Sequence, residues 1–180
     1  FGVLRVINMA HGSFYLLGAH IAISVAQGGG GIIAAALIGG LSAAVVGVAA
    51  ERMILNRLQG NYLAQVLVTI GIYLIIGDVA LLIWGGTPRV LTLPPEYNFG
   101  VSLGGLRYPV DRLLLIVVAP AIAIALWLAI EKTRVGASIR ASVDDEEIAK
   151  TTGISVPRLR LIVFAFGSFL AGSVSYTHLT

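Results

Sequence analysis

The apolar residues of this chain fall in five long runs with no polar face of helical period, separated by short intervals rich in glycine, proline or charge. A helix needs roughly 20 largely apolar residues to cross hydrocarbon, and about 17 at the short end. Gly12 to Ala26 is apolar but short, and Arg5, Asn8 and His11 precede it. It reads either as a span entered through polar residues or as half of a broken helix. Ile32 to Ala50 is free of charge, rich in Ala and Gly, and fenced by Gly28 to Gly31 before it and by Glu51 and Arg52 after it. Leu63 to Trp84 carries one charge, Asp78, and ends at Trp84-Gly85-Gly86, where an indole suits the headgroup level and glycines stop the helix. Thr87 to Asp111 contains Pro88, Pro94, Pro95 and Pro109 and is expected to be a loop too broken to span. Leu113 to Ile130 is the fourth run, with Pro120 expected to kink it, and Leu161 to Val174 is the fifth, cut short by the polar tail Ser175 to Thr180. The expected fold is all-α, a polytopic transmembrane helical bundle with about five membrane segments, forming one domain over residues 1–180.

Composition agrees with lipid as the main solvent. Apolar residues make up 57% of the 180 and charged residues 12%, against about 25% charged in soluble domains. Mean hydropathy is +0.93. The net charge of +3 is modest and the basic residues are not interleaved with aromatics, which argues against nucleic acid as a partner. No cysteine is present, so thiolate metal sites, disulfides and cysteine nucleophiles are excluded within this sequence. The chain opens at Phe1 without a secretory signal and reads as the middle of a longer protein.

Orientation follows from Lys and Arg in the loops. Glu131 to Arg160 holds six of them, Lys132, Arg134, Arg140, Lys150, Arg158 and Arg160, which assigns that stretch to the cytoplasm. The link Glu51 to Gly60 lies two spans earlier and shares that side, and the proline-containing loop is extracytoplasmic. Glu131 to Arg160 also reads as ordered: a helical piece around Thr133 to Ala141, then Asp144 as the cap of a second helix with Glu147 at its third position, stopped by Gly153. Such a short acidic-to-apolar helix either packs on its own membrane domain or docks on a protein partner.

The string RVGASIRASVDDEEIAKTTGISVPRLR resembles the cytoplasmic coupling loop of ABC importer permeases, closest to those of the branched-chain amino acid type. The resemblance rests on Arg134, Gly136, Ile139, Arg140, Ala141, Asp144 or Asp145, Ala149, Gly153 and Ile154. The opening FGVLRVINMAHGSFYLLGA, around Asn8, Ala10, His11 and Gly12, and the segment ERMILNRL resemble two further signatures of that family, so the likeness covers residues 1 to about 174. It implies a permease subunit in a bacterial or archaeal plasma (inner) membrane, with residues 131–160 as the coupling loop and Arg134, Gly136, Arg140, Asp144, Asp145, Ala149, Gly153 and Ile154 as its coupling residues. It also implies a second permease subunit, identical or different, cytoplasmic ATP-binding subunits and a periplasmic or surface substrate-binding protein. Family members are longer at both ends, so the sequence is expected to be an internal fragment. Ser175 to Thr180 does not continue the fifth run and is expected to be foreign to it.

The polar residues near lipid have two readings each. Asp78 lies about two thirds of the way along its run, where a carboxylate is expensive, so it either bears on the translocation path or is held by a neighbouring helix. Asn8 and His11, near i and i+3, share a face and either line a substrate route or bond backbone groups freed at a helix break. Glu51 and Arg52 mark a membrane interface or pair with the basic loop. Gly39, Ala43, Gly47 and Ala50 recur at the spacing of close helix contact, for packing on other helices or a second subunit. No phosphate-binding glycine motif with its Lys is present, and no nucleophile, base and orienter set, so the chain is expected to be no enzyme and to hold no cofactor, ATP being bound by partners. Two other readings are an ion-coupled secondary transporter working through Asp78 and a structural membrane protein without a substrate.

Overall fold

A backbone in hydrocarbon has no water to bond to, so apolar runs of this length satisfy their amides as helices. The computed structural model describes residues 8–87, 100–103 and 106–174, with side-chain surroundings at 8–87 and 116–174. Seven α-helices follow in chain order among these residues: α1 (His11–Gln27), α2 (Ile32–Met53), α3 (Tyr62–Trp84), α4 (Val110–Lys132), α5 (Arg134–Asp144), α6 (Glu146–Thr151) and α7 (Val156–Val174), with a 3-10 turn at Leu55–Leu58 between α2 and α3. The architecture is a polytopic transmembrane helical bundle. By length and composition α2, α3 and α7 are each sufficient to cross a membrane. At 23 residues α4 is about 34 Å long, and at 17 residues α1 is about 26 Å.

The runs read from sequence fall on α1 to α4 and α7. The largest boundary difference is at α7, which starts at Val156 instead of Leu161. Pro157 is tolerated in a first turn, where amides lack intrahelical partners, and Ser155 O accepts from Arg158 N and Leu159 N at 3.1 Å each. The helix therefore rises out of the polar loop, carrying Arg158 and Arg160 with it. α4 stays helical through Pro120, and the chain turns sharply after Lys132, by 74° between Ile116–Lys132 and α5. The proline-containing loop holds a two-stranded antiparallel hairpin, β1 (Gly100–Leu103) and β2 (Leu106–Pro109), with Val101 opposite Tyr108 and Ser102 opposite Arg107. The foreign-tail expectation for Ser175 to Thr180 and the start of the first signature, residues 1–7, lie outside the described residues.

Glycine and alanine decide how the bundle packs. α2 turns Ala35, Gly39, Ala43, Gly47 and Ala50 inward against α1 and α7. A Cβ on Gly39 would stand 2.7 Å from Gly18 O, and one on Gly172 would stand 2.6 Å from Ala43 Cβ and 2.7 Å from Gly39 O. Gly18, Gly39 and Gly172 thus let three backbones meet at one point, which no larger residue permits. The small-residue stripe of α2 is used inside this chain. Below that junction Phe14 and Phe164 pack edge to face, with ring centroids 6.0 Å apart and planes at 76°. α3 lies against α1, and its buried hydroxyl, Thr69 Oγ1, donates to Gln65 O at 2.9 Å. α4 packs on α5 and β2, and nearly all its described side chains are exposed.

Candidate functional site: the helical loop between α4 and α7

The loop is a folded module, and each of its turns has a local cause. Thr133 caps α5, its side chain accepting from Gly136 N at 3.0 Å. Gly136 is buried where α5 folds back on α4, and a Cβ there would overlap the carbonyl oxygens of Ile130 and Ala129. Arg140, one turn on, donates to Ile130 O and lies 3.7 Å from Glu131 Oε2, placing a cation at the carbonyl end of α4. Gly136 and Arg140 therefore build the 74° bend.

The cap of the second helix is Asp145, one residue beyond the Asp144 expected from the sequence. Asp144 is the last residue of α5, and Asp145 is extended at φ −149° and ψ 107°, so its carboxylate reaches Glu147 N at 2.9 Å and Ile148 N at 3.0 Å. The third helical position is then Ile148, and no capping box forms. At the other end Gly153 takes φ +84°, with Gly153 N bonded to Lys150 O at 3.1 Å and Ile154 N to Ala149 O at 3.0 Å. This is the paired-bond stop that glycine in the left-handed region makes possible. It folds Ile154 back so that Ala149, Val156 and Leu159 bury together, with Ile139, Val143, Ile154 and Val163 around them.

Of the expected coupling residues, Gly136 and Ala149 are buried, Ile154 is half-buried, and Arg134, Arg140, Asp144, Asp145 and Gly153 are exposed. Ala149 faces the α7 side of α6. The apolar side chain that α6 offers outward is Ile148, at 62% exposure. Its neighbours on that surface are Glu147, Thr151 and Thr152.

Glu51 does not stand at the surface with Arg52. It is 2% exposed on the inward face of α2. Arg160 of α7 is also buried, makes no direct ion pair with it among the described residues, and has its Nη2 3.7 Å from Glu146 Oε1 on α6. The sequence placed Arg160 among the topology-setting charges; that a residue in the second turn of a span would turn inward was not readable from its position.

Asn8 and His11 lie at half the height of α3. A Cβ on Gly12 would be 3.8 Å from Tyr73 Cε2, and Tyr73 is the middle residue of α3. Near the other end Trp84 Nε1 donates to Ser24 Oγ at 2.9 Å, and its ring lies 5.1 Å from that of His20. α1 and α3 thus run side by side in one direction, and α1 begins at mid-bundle. Asn8 Oδ1 accepts from Ala10 N at 2.9 Å, closing the turn before α1, while His11 is exposed. Asp78 is exposed on the outward face of α3 beside Ile75, Val79 and Leu82, with no hydrogen bond or ion pair among the described residues.

Helices of lipid length joined by a folded, charged helical loop define a multi-pass membrane protein. The chain belongs to the family described as branched-chain amino acid transport system, permease component, which matches residues 1–176. It is 25% identical over 184 aligned positions to the high-affinity branched-chain amino acid transport system permease protein BraD of Pseudomonas aeruginosa, over 95% of this chain and 60% of that protein. The chain thus spans about 60% of the length of this relative. No solved structure matches.

Proposed function

We propose that this chain is the larger part of a permease subunit of an ABC importer that carries branched-chain or related amino acids across the plasma (inner) membrane of a bacterium or archaeon. A substrate-binding protein delivers the amino acid to the side of the proline-containing loop, and a separate ATPase subunit docks on α6. Alternating access is a rearrangement of the helices between them. A second permease subunit, identical or related, completes the path. The chain itself performs no chemistry and holds no cofactor, ATP being bound by the ATPase subunits.

One observation carries this reading beyond family membership. α6 is a short ledge, stopped by Gly153 and seated on the first turns of α7 through Ala149, Val156 and Leu159, while Ile148 points away from the bundle. A partner that pushes on α6 pushes on a membrane helix.

The test is transport in proteoliposomes holding the full-length permease with its ATPase and binding protein. Uptake of labelled leucine should require both ATP and the binding protein and be indifferent to ion gradients. Uptake that persisted without ATP and binding protein but collapsed with the ion gradient would overturn the proposal in favour of a secondary transporter working through Asp78. A protein that moved no solute under either condition would be a structural one.

A further inference from the structure

Three charged side chains from three helices converge where the loop module meets the bundle. Arg160 sits in the first two turns of α7 with its side chain 7% exposed. On one side is Glu146, the first residue of α6, whose carboxylate also holds Lys150 Nζ at 2.9 Å. On the other is Glu51 of α2, almost fully buried and one turn beyond Gly47, which packs on Ser168 and Phe164 of α7, the latter one turn beyond Arg160. Neither link is closed: the Arg160 to Glu146 separation is 3.7 Å, longer than a hydrogen bond. Glu51 Oε2 and Arg160 Nε are buried and make no hydrogen bond among the described residues.

Burying charges this way costs desolvation free energy that an apolar set of the same volume would avoid, so stability alone does not account for the arrangement. A guanidinium presents five donors in a rigid fork and can serve two carboxylates, or move its best bonds from one to the other with a small displacement. Here the two carboxylates belong to parts that differ in freedom. Glu51 is on the inward face of the 22-residue α2, which packs along α7 with Gly47 against Ser168 one turn away. Glu146 is on the six-residue α6, held by a small apolar cluster.

We infer that Arg160 is a positioning residue for coupling: it links Glu146 on the docking helix to Glu51 on α2, and carries a displacement of α6 into the α2–α7 pair. The inference rests on the proposed function above, since it supposes a partner that moves α6. Pressing α6 toward the bundle shortens the Arg160 to Glu146 contact, and withdrawing it leaves the guanidinium to Glu51. Each state of the loop thereby selects a different arrangement of charge at the base of α2 and α7.

The experiment uses the complete importer in proteoliposomes and measures ATP hydrolysis, leucine uptake and the amount of ATPase bound, each in the same preparation. Arg160→Gln should keep the ATPase bound and hydrolysing, while uptake per ATP falls about tenfold, within the range of typical coupling free energies. Arg160→Lys, which keeps a cation between the two carboxylates, should retain part of the coupling that Arg160→Gln loses. Glu146→Gln lies at a partly exposed position that leaves the bundle core untouched, and should uncouple in the same sense even if Arg160→Gln fails to fold. Unchanged uptake per ATP in Glu146→Gln and in a folded Arg160→Gln would overturn the inference, as would a loss that only tracks lost ATPase binding. If the unaltered importer shows no ATP-driven uptake, the proposed function itself fails, and the two failures are thus distinct.

Discussion

Gly136 and Gly153 sit 17 residues apart in one loop and are glycines for different reasons. At Gly136 the space beside the α-carbon is occupied by backbone carbonyls of α4, which cannot swing aside. At Gly153 nothing lies within 4 Å, but φ is +84°, a conformation that costs a residue with a Cβ about 1–2 kcal/mol. Gly153→Ala should therefore loosen α6 locally, with faster amide hydrogen exchange at 148–154 and little change in α5. Gly136→Ala should open the α4–α5 junction and raise exchange across α5 as well. Equal exchange patterns in the two variants would refute this distinction. Asp145 shows the same limit of residue-scale reading. The sequence pointed to Asp144 as the cap, and the backbone angles, extended at Asp145, give that role to its neighbour.

Among the elements, α2 was the most legible from sequence and α1 the least. Ile32 as the start of α2 and the small-residue stripe followed directly from composition, because a charge-free run can only be a helix in lipid. Its partners did not follow, since a stripe of Gly and Ala fits any close backbone, and the structure shows those of α1 and α7. Gly172→Leu should force these helices apart and lower the detergent-solubilised protein's stability by about 1–3 kcal/mol or more, as overpacking does. Gly77→Ala on α3, with nothing within 4 Å, should be neutral or slightly stabilising, since Gly in a helix interior costs about 1 kcal/mol relative to Ala. Thermal unfolding of both variants decides the matter, and equal midpoints would contradict the packing described. For α1 the run Gly12 to Ala26 left open whether it spans or covers half the depth. Its register on α3, with Gly12 at Tyr73 and Ser24 at Trp84, settles that its first turn lies at mid-bundle.

On the scale of the whole molecule, charge sets which side faces which compartment. The absence of cysteine from the sequence makes the arrangement open to a clean test. Thr151→Cys on α6 should react with a membrane-impermeant maleimide only when the cytoplasmic face is accessible, and Gly86→Cys, past the end of α3, only from the opposite face. Labelling of both from one side would reverse or break the topology. Composition by itself determined that the chain lives in lipid, roughly where its helices lie and that Glu131 to Arg160 is an ordered loop, because these depend on hydropathy and on turn chemistry between near neighbours in sequence. Only the tertiary structure decided that α2's stripe closes on α1 and α7, that Ala149 faces inward while Ile148 faces out, and that Glu51, Glu146 and Arg160 meet. Those outcomes depend on which residues far apart in the chain share a depth and a face, and in a bundle whose helices are apolar all round, hydropathy carries no signal of facing.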